Sequence, residues 1–245
     1  MTLKFAMGGA SDRGQVRSNN EDHFLTNTAE GILIVADGLG GRPSGEVASE
    51  LAARAAHRLL TSRTWRDGRG DAMADAVEAA NFDVASKAKA HEEHAGMGTT
   101  LTVLAVNPET GAFVIGHVGD SRAYRLRSGM LEQLTRDHTV AQDLLDAGQL
   151  ANPDISQHPF RHLLNRAVGT EAEVEAEIIT GSAEPGDLYL LCTDGLVGVV
   201  DDETLAATLV GTTARTLESV AQKLIGLANE QGGPDNITVG VLAVS

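Results

Sequence analysis

The chain has 245 residues, with 19 Lys and Arg against 34 Asp and Glu, a formal net charge of −15. Such a charge repels nucleic-acid phosphates and anionic membrane surfaces, which excludes general binding to either. With 42% hydrophobic but 3% aromatic residues, the core has to be built from Ala, Val, Leu and Ile, and a disordered chain is excluded.

Residues 1–10 show no basic segment followed by a long apolar run, so no secretion signal is expected. No stretch reaches the ~18 apolar residues of a membrane span. The apolar run at residues 32–36 reads as a buried strand. Pro43 and Ser44 suit a helix start. Residues 44–60 are Ala-rich with helical apolar spacing, and residues 72–91 are similar. Trp65, in the polar stretch between them, reads as structural or surface. Leu101–Val106 and residues 113–118 form a hairpin around Asn107-Pro108-Glu109-Thr110-Gly111. A strand at residues 123–127 follows, with a turn at Ser128-Gly129. Residues 137–168 are less regular. They mix a short amphipathic stretch at 140–145 with Gly148, Pro153 and Pro159, and read as an excursion over one end of the sheets. Leu188–Cys192 and Ile237–Val244 are further strands. Between them Leu217, Val220, Ala221, Leu224, Ile225 and Ala228 share one helical face. Short turns between neighbouring strands imply antiparallel sheets covered by helices rather than a βαβ alternation. No linker or repeat divides the chain, so one domain over residues 1–245 is expected. Cys192 is the only cysteine, which removes an internal disulfide and a thiolate metal site, and fits a reducing cytosol.

The acids carry the chemical signal. Asp37, Asp120, Asp194 and Asp235 each stand where a strand meets a loop with glycine close by, and the pair Glu21-Asp22 precedes His23-Phe24-Leu25. One Asp-Gly at a strand end is an ordinary turn. If all of them converge, their like charges cannot stay ionised together without a cation. Oxygen donors suit Mg²⁺ and Mn²⁺ rather than zinc. The spread from Glu21 to Asp235 excludes a contiguous EF-hand loop. Two such ions, about 3.5–4 Å apart, activate a water for in-line attack on a phosphoryl group. Arg17, just before Glu21, can grip a phosphate with two parallel hydrogen bonds.

The ordered motifs are Arg17-Ser18-Asn19-Asn20-Glu21-Asp22, Val35-Ala36-Asp37-Gly38-Leu39-Gly40-Gly41, Gly98-Thr99-Thr100, Val118-Gly119-Asp120-Ser121-Arg122, Cys192-Thr193-Asp194-Gly195 and Gly233-Pro234-Asp235-Asn236-Ile237-Thr238. This set resembles the metal-dependent protein phosphatases of type 2C, in their compact bacterial form. The resemblance implies an α+β fold: a four-layer α-β-β-α sandwich of two antiparallel sheets flanked by helix pairs, with metals at one end. It implies hydrolysis of phosphoserine and phosphothreonine on proteins by a metal-activated water, with two Mn²⁺ or Mg²⁺ ions and a weaker third. Asp37 would bridge both ions. Asp194 and Asp235 would complete the first, and Glu21 with the Gly38 carbonyl the second. Asp120, with Asp194, would match the third. Arg17 would hold the phosphate, Asp22 would stand behind the ligands, and Asn236 would steady the Asp235 loop. Residues 137–168 would form a mobile flap beside the site. Some relatives carry a histidine directly after the Asp-Gly pair, proposed as general acid. Here that position is Leu39, so a water held by the metal is expected to supply the proton, with His138 and His162 as weaker candidates.

The alternative function is a two-metal phosphoesterase acting on a small phosphorylated metabolite. A non-catalytic relative would have lost metal carboxylates, and none is missing here. His91 and His94 read as a solvated helix face. The run from Gly38 to Gly41 lacks the Lys-Ser/Thr ending of a phosphate loop. Cys192 lacks the following arginine of a cysteine phosphatase and reads as a buried small residue. The expected partners are phosphorylated proteins, substrates of a Ser/Thr kinase, with no nucleic acid and no membrane. A cytoplasmic monomer is expected, and its acidic surface favours basic flanks on the substrate.

Overall fold

The computed structural model describes residues 2–40, 44–62, 70–150 and 158–245. Gly41, Pro43, Trp65 and Pro153, named above, lie outside these. The elements in order are β1 (Phe5–Asp12), β2 (Asp22–Asn27), β3 (Ile32–Asp37), α1 (Gly45–Ser62), α2 (Gly70–Ala90), β4 (Leu101–Val106), β5 (Ala112–Val118), β6 (Arg122–Arg127), β7 (Met130–Gln133), α3 (Val140–Asp146), β8 (Glu177–Ser182), β9 (Leu188–Cys192), α4 (Asp194–Val197), α5 (Asp202–Leu209), α6 (Leu217–Glu230) and β10 (Ile237–Val244). Two antiparallel five-stranded sheets result, ordered β1-β10-β9-β6-β7 and β2-β3-β4-β5-β8. Among the described residues, no helix is long and apolar enough to cross a membrane.

The four layers follow from side-chain alternation. In β3, Ile32, Ile34 and Ala36 point to one face and Leu33 and Val35 to the other. The first set joins Leu101, Val103 and Ala105 of β4 under α1 and α2. The second set meets Tyr189, Leu191 and Leu242 of the opposite sheet. Both faces are buried, so the run is apolar without alternation in polarity. The outer face of the other sheet, with Leu190, Cys192, Val239 and Val241, is covered by Leu205, Leu217, Ala221, Leu224 and Ala228 of α5 and α6. Each buried Leu, Val or Ile contributes roughly 1.5–3 kcal/mol. The small residues Ala48, Ala52, Ala55 and Ala56 make the buried face of α1. Gly116 leaves room for Met73, whose Cγ would stand 2.6 Å from a Cβ there.

The hairpin turn at Asn107 forms as expected: its Oδ1 accepts from the backbone N–H groups of Glu109 and Thr110. Ser128 and Gly129, with φ of 52° and 80°, make the two-residue turn between β6 and β7. Helix α2 starts at Gly70, slightly before the apolar pattern begins. His91 and His94 do not share a helix face. They flank and end a short 3₁₀ turn, Glu92–His94, where His94 Nδ1 is 2.8 Å from Ser44 Oγ. Strands β1, β2, β7 and β8 are not apparent in the sequence. Two glycines dilute the pattern of β1, and the other three are only partly buried sheet edges.

Registry brings the strand ends together. Asp22, at the start of β2, pairs with Asp37, at the end of β3. Leu101, at the start of β4, pairs with Val118, at the end of β5. In the other sheet, Cys192 at the end of β9 pairs with both Val239 of β10 and Arg122 at the start of β6. The Gly119–Ser121 link carries the chain from β5 to β6 across that same end. Every strand-end acid singled out in the sequence therefore lies at one end of the sandwich.

Candidate metal centre

At this end a cavity of about 810 Å³ is lined by Arg17, Asp37, Gly38, Asp120, His162, Asp194 and Asp235, among others. Four aspartate carboxylates from four separate segments thus face one space. Burial is the main cause that lifts Asp37 well above the usual carboxylate range, followed by the charges of Asp22, Asp194, Asp120 and Asp235. Burial also lifts Asp120, with Asp194 and Asp137 adding to it. Asp22 rises to about 7, mainly through burial, although hydroxyls of Thr238 and Thr193 oppose the shift. Its Oδ1 is buried without a hydrogen-bond partner. Such a cluster is costly as bare anions. The four cavity aspartates offer oxygen donors, which fit hard divalent cations.

The backbone around each acid is fixed by neighbours. The Asp37 N–H donates to Thr100 Oγ1 at 2.9 Å, and its carbonyl accepts from Thr99 Oγ1 and from Thr100 N–H, both at 2.8 Å. Thr100 Oγ1 in turn lies 2.7 Å from Ser121 Oγ, beside Asp120. Thr193 Oγ1 donates to Asp22 Oδ2 at 2.9 Å and precedes Asp194. The ordered motifs contain these hydroxyls, but the sequence assigns them no role: Ser121 and Thr193 directly flank Asp120 and Asp194, whereas Thr99 and Thr100 are far from Asp37 along the chain.

Asn236 ties three segments. Its Oδ1 accepts from Glu21 N–H at 2.8 Å, and its Nδ2 donates to the carbonyls of Arg13 and Asn19. Its own N–H donates to Asp235 Oδ1. Glu21 lies beside Gly38, which donates to the Glu21 carbonyl at 3.1 Å. The Glu21 carboxylate sits against Gly45, where a Cβ would stand 3.0 Å from Glu21 Cδ. Arg17 Nη2 donates to Asp235 Oδ2 at 2.7 Å. Gly40 admits that guanidinium, since a Cβ there would stand 2.5 Å from Nη1.

Gly195 is the most constrained neighbour. A Cβ there would stand 1.9 Å from the Asn236 carbonyl oxygen, so the start of α4 and the residue leading into β10 approach too closely for any side chain. Gly195→Ala is expected to cost about 3 kcal/mol or more. Urea denaturation checks this, and a loss under about 1 kcal/mol contradicts it.

The histidines separate. His162 lines the cavity with Nδ1 3.3 Å from Asp194 Oδ2, and it forms with Asp120 and Asp194 a group of potential ligand atoms within 4.8 Å of one another. His138 is 2% exposed and lies beside His117, with ring centroids 4.8 Å apart. The cavity lining also includes Arg166, at the end of the expected flap, and the exposed acids Glu171, Glu173 and Glu175, which the sequence does not single out.

A family model described as protein phosphatase 2C matches residues 9–227. The chain belongs to the protein phosphatase 2C family. It is 41% identical over 247 aligned positions to the serine/threonine protein phosphatase PstP of Mycobacterium tuberculosis strain H37Rv, covering 100% of this chain and 46% of that protein. This type 2C chain therefore spans about half the length of PstP. It is 37% identical over 240 positions to the serine/threonine phosphatase stp of Listeria monocytogenes strain EGD-e, covering 94% of this chain and 92% of that one. The crystal structure of the PstP catalytic domain in complex with two manganese ions superposes with a TM-score of 0.86 at 38% identity, covering 99% of each chain.

Proposed function

We propose that the chain is a metal-dependent protein phosphatase that hydrolyses phosphoserine and phosphothreonine on proteins. The observation that carries this reading is the convergence of Asp37, Asp120, Asp194 and Asp235, from the ends of both sheets, on one cavity with Arg17 on its wall. The likeness to PstP, a serine/threonine protein phosphatase, favours protein substrates over a small phosphorylated metabolite.

In this reading Asp37, Asp194, Asp235, Glu21 and the Gly38 carbonyl would hold two Mn²⁺ or Mg²⁺ ions. Asp120, with Asp194, offers a weaker third position. The manganese-bound relative supports the class of ion. When bound, such ions supply charge neutralisation at phosphoryl oxygens and a lowered pKa for water. Asp22 accepts from Thr193 behind the ligands, and its unpartnered oxygen adds negative potential there. Asn236 holds the Arg17–Glu21 loop in register with Asp235. Arg17, oriented by Asp235, presents its remaining N–H groups to phosphate oxygens. Residues 137–168, of which 151–157 lie outside the described residues, act as a flap beside the cavity within a single domain, with α3 in them. The natural setting is a cytoplasmic monomer acting opposite a Ser/Thr kinase.

The leaving serine or threonine alkoxide needs a proton. Of the two flap histidines, His162 lines the cavity and His138 does not. His162→Ala is expected to slow phosphothreonine-peptide turnover by about 10²-fold or more and to spare an aryl phosphate, because a phenolate leaves unaided. Equal losses on both substrates would assign His162 to ion or phosphate binding instead. The direct test of the function is phosphate release from a phosphothreonine peptide with Mn²⁺ and with chelator. Full release under chelation ends the proposal.

A further inference from the structure

We propose that His138 is a positioning residue that sets the Asp120 turn and couples it to the segment bordering the cavity. This rests on the reading of Asp120 as an ion ligand. Gly119, just before Asp120, has φ of 110° and would place a Cβ 2.6 Å from Thr100 Cβ. The turn is thus left to glycine, and a residue with no side chain offers nothing of its own to fix its direction.

His138 fixes it from outside. Its backbone N–H donates to the Gly119 carbonyl at 2.8 Å. Its Nδ1 accepts from the Gly119 N–H at 3.2 Å. Both polar backbone groups of the residue preceding Asp120 therefore end on one side chain and its own peptide. The accepting role of Nδ1 puts the ring proton on Nε2, which faces Glu177 Oε2 at 3.8 Å. Burial and the adjacent His117 ring hold His138 down at about 3, so it stays neutral and able to accept. His117 forms the floor. Its Nε2 donates to the Arg136 carbonyl at 3.1 Å, and its Nδ1 lies 2.9 Å from Thr102 Oγ1.

On the other side, the His138 carbonyl accepts from Asn165 N–H at 3.0 Å, and Val140 N–H donates to the Leu163 carbonyl. Leu163, Leu164 and Asn165 are cavity-wall residues. One buried residue thus joins the wall to Asp120. A histidine present only for packing would tolerate any polar side chain of similar size. A clamp through Nδ1 would not. The Oδ1 of asparagine reaches the Nδ1 position, whereas the longer side chain of glutamine carries its oxygen to the Nε2 position.

The experiment is calorimetric titration of Mn²⁺ into the chelated and desalted protein, with wild type, Asp120→Asn, His138→Asn, His138→Gln and His138→Ala. Asp120→Asn is expected to remove a weaker class of ion and leave the tighter ones. His138→Gln and His138→Ala are expected to weaken that same class by about tenfold, the effect typical of losing a group that orients a ligand. His138→Asn is expected to stay within about twofold of wild type. If His138→Ala does not fold, the Asn and Gln pair decides. Equal affinities for these two variants overturn the positioning role. A weaker class that survives Asp120→Asn overturns the assignment of Asp120 and the role of His138 with it. Mn²⁺-dependent turnover by the wild type, measured separately, shows whether the phosphatase reading stands in either case.

Discussion

Asp37→Asn is expected to cut manganese-dependent phosphate release by at least about 10²–10³-fold, and at the same time to raise the melting temperature of the chelated protein. The two effects have one origin. Asp37 lies at the end of β3, with Asp22 as its register partner and the charges of Asp194, Asp120 and Asp235 around it. Ions resolve that repulsion, so a neutral amide at the shared position removes the reason for them to bind. Without ions the carboxylate is a burden on the fold, and asparagine of the same shape relieves it. A gain of about 1–2 kcal/mol corresponds to roughly 5 °C for a domain of this size. Turnover and differential scanning fluorimetry in chelator check the pair. A chelated variant that melts below chelated wild type contradicts the electrostatic account. Retained turnover contradicts the bridging role.

The second large effect is the pH dependence of stabilisation by Mn²⁺. The folded protein holds a proton on Asp22 up to about 7, against 3.8 for the free side chain. A raised folded value means that the folded state binds protons more tightly than the unfolded one. Stability from this group is fully present below about 4 and is lost as pH rises through about 7. Asp37 and Asp120 shift in the same direction. The buried histidines run the other way. His117, lowered to about 4 by burial, and His138, lowered to about 3, cost stability as pH falls below 6.5. A scan of the chelated protein alone mixes the two trends. The difference between Mn²⁺-loaded and chelated protein removes the histidine part, which is common to both. That difference is expected to be about 5–10 °C at pH 8 with saturating ion and to shrink to a few degrees by pH 5.5. An unchanged difference across this range contradicts proton–cation competition at the carboxylates.

Much of the site was legible because strand-end acids announce themselves twice. The apolar run marks a buried strand, and the glycine beside the acid marks a backbone that has to turn or be approached closely. Asp37, Asp194 and Asp235 carry both marks. The sandwich was legible for a related reason: β3, β4, β9 and β10 are apolar on both faces, as strands between two covered layers have to be. The hydroxyl net was harder to see. Thr99, Thr100, Ser121 and Thr193 look like ordinary turn residues, and only the registry of distant strands gives them carboxylates and peptides to hold. The proposed positioning role of His138 was hidden for the same reason, since its partner Gly119 is distant in sequence and carries no side chain. Edge strands β7 and β8 are half wetted and lack a clean period. Of the two flap histidines, sequence alone could not tell which faces the cavity.

The pairing of β1 with β10, from Phe5 opposite Val244 to Asp12 opposite Ile237, has a consequence for synthesis on the ribosome. All strands of the sheet β2-β3-β4-β5-β8 are made once Ser182 has emerged, so that half can collapse with its helices early. The other sheet needs its first strand to wait, unpaired, for a segment made more than two hundred residues later. Asp194 and Asp235 belong to the late half. A nascent chain therefore cannot assemble the full ring of acids before β10 has been made, and the candidate metal centre is completed in one step with closure of the fold.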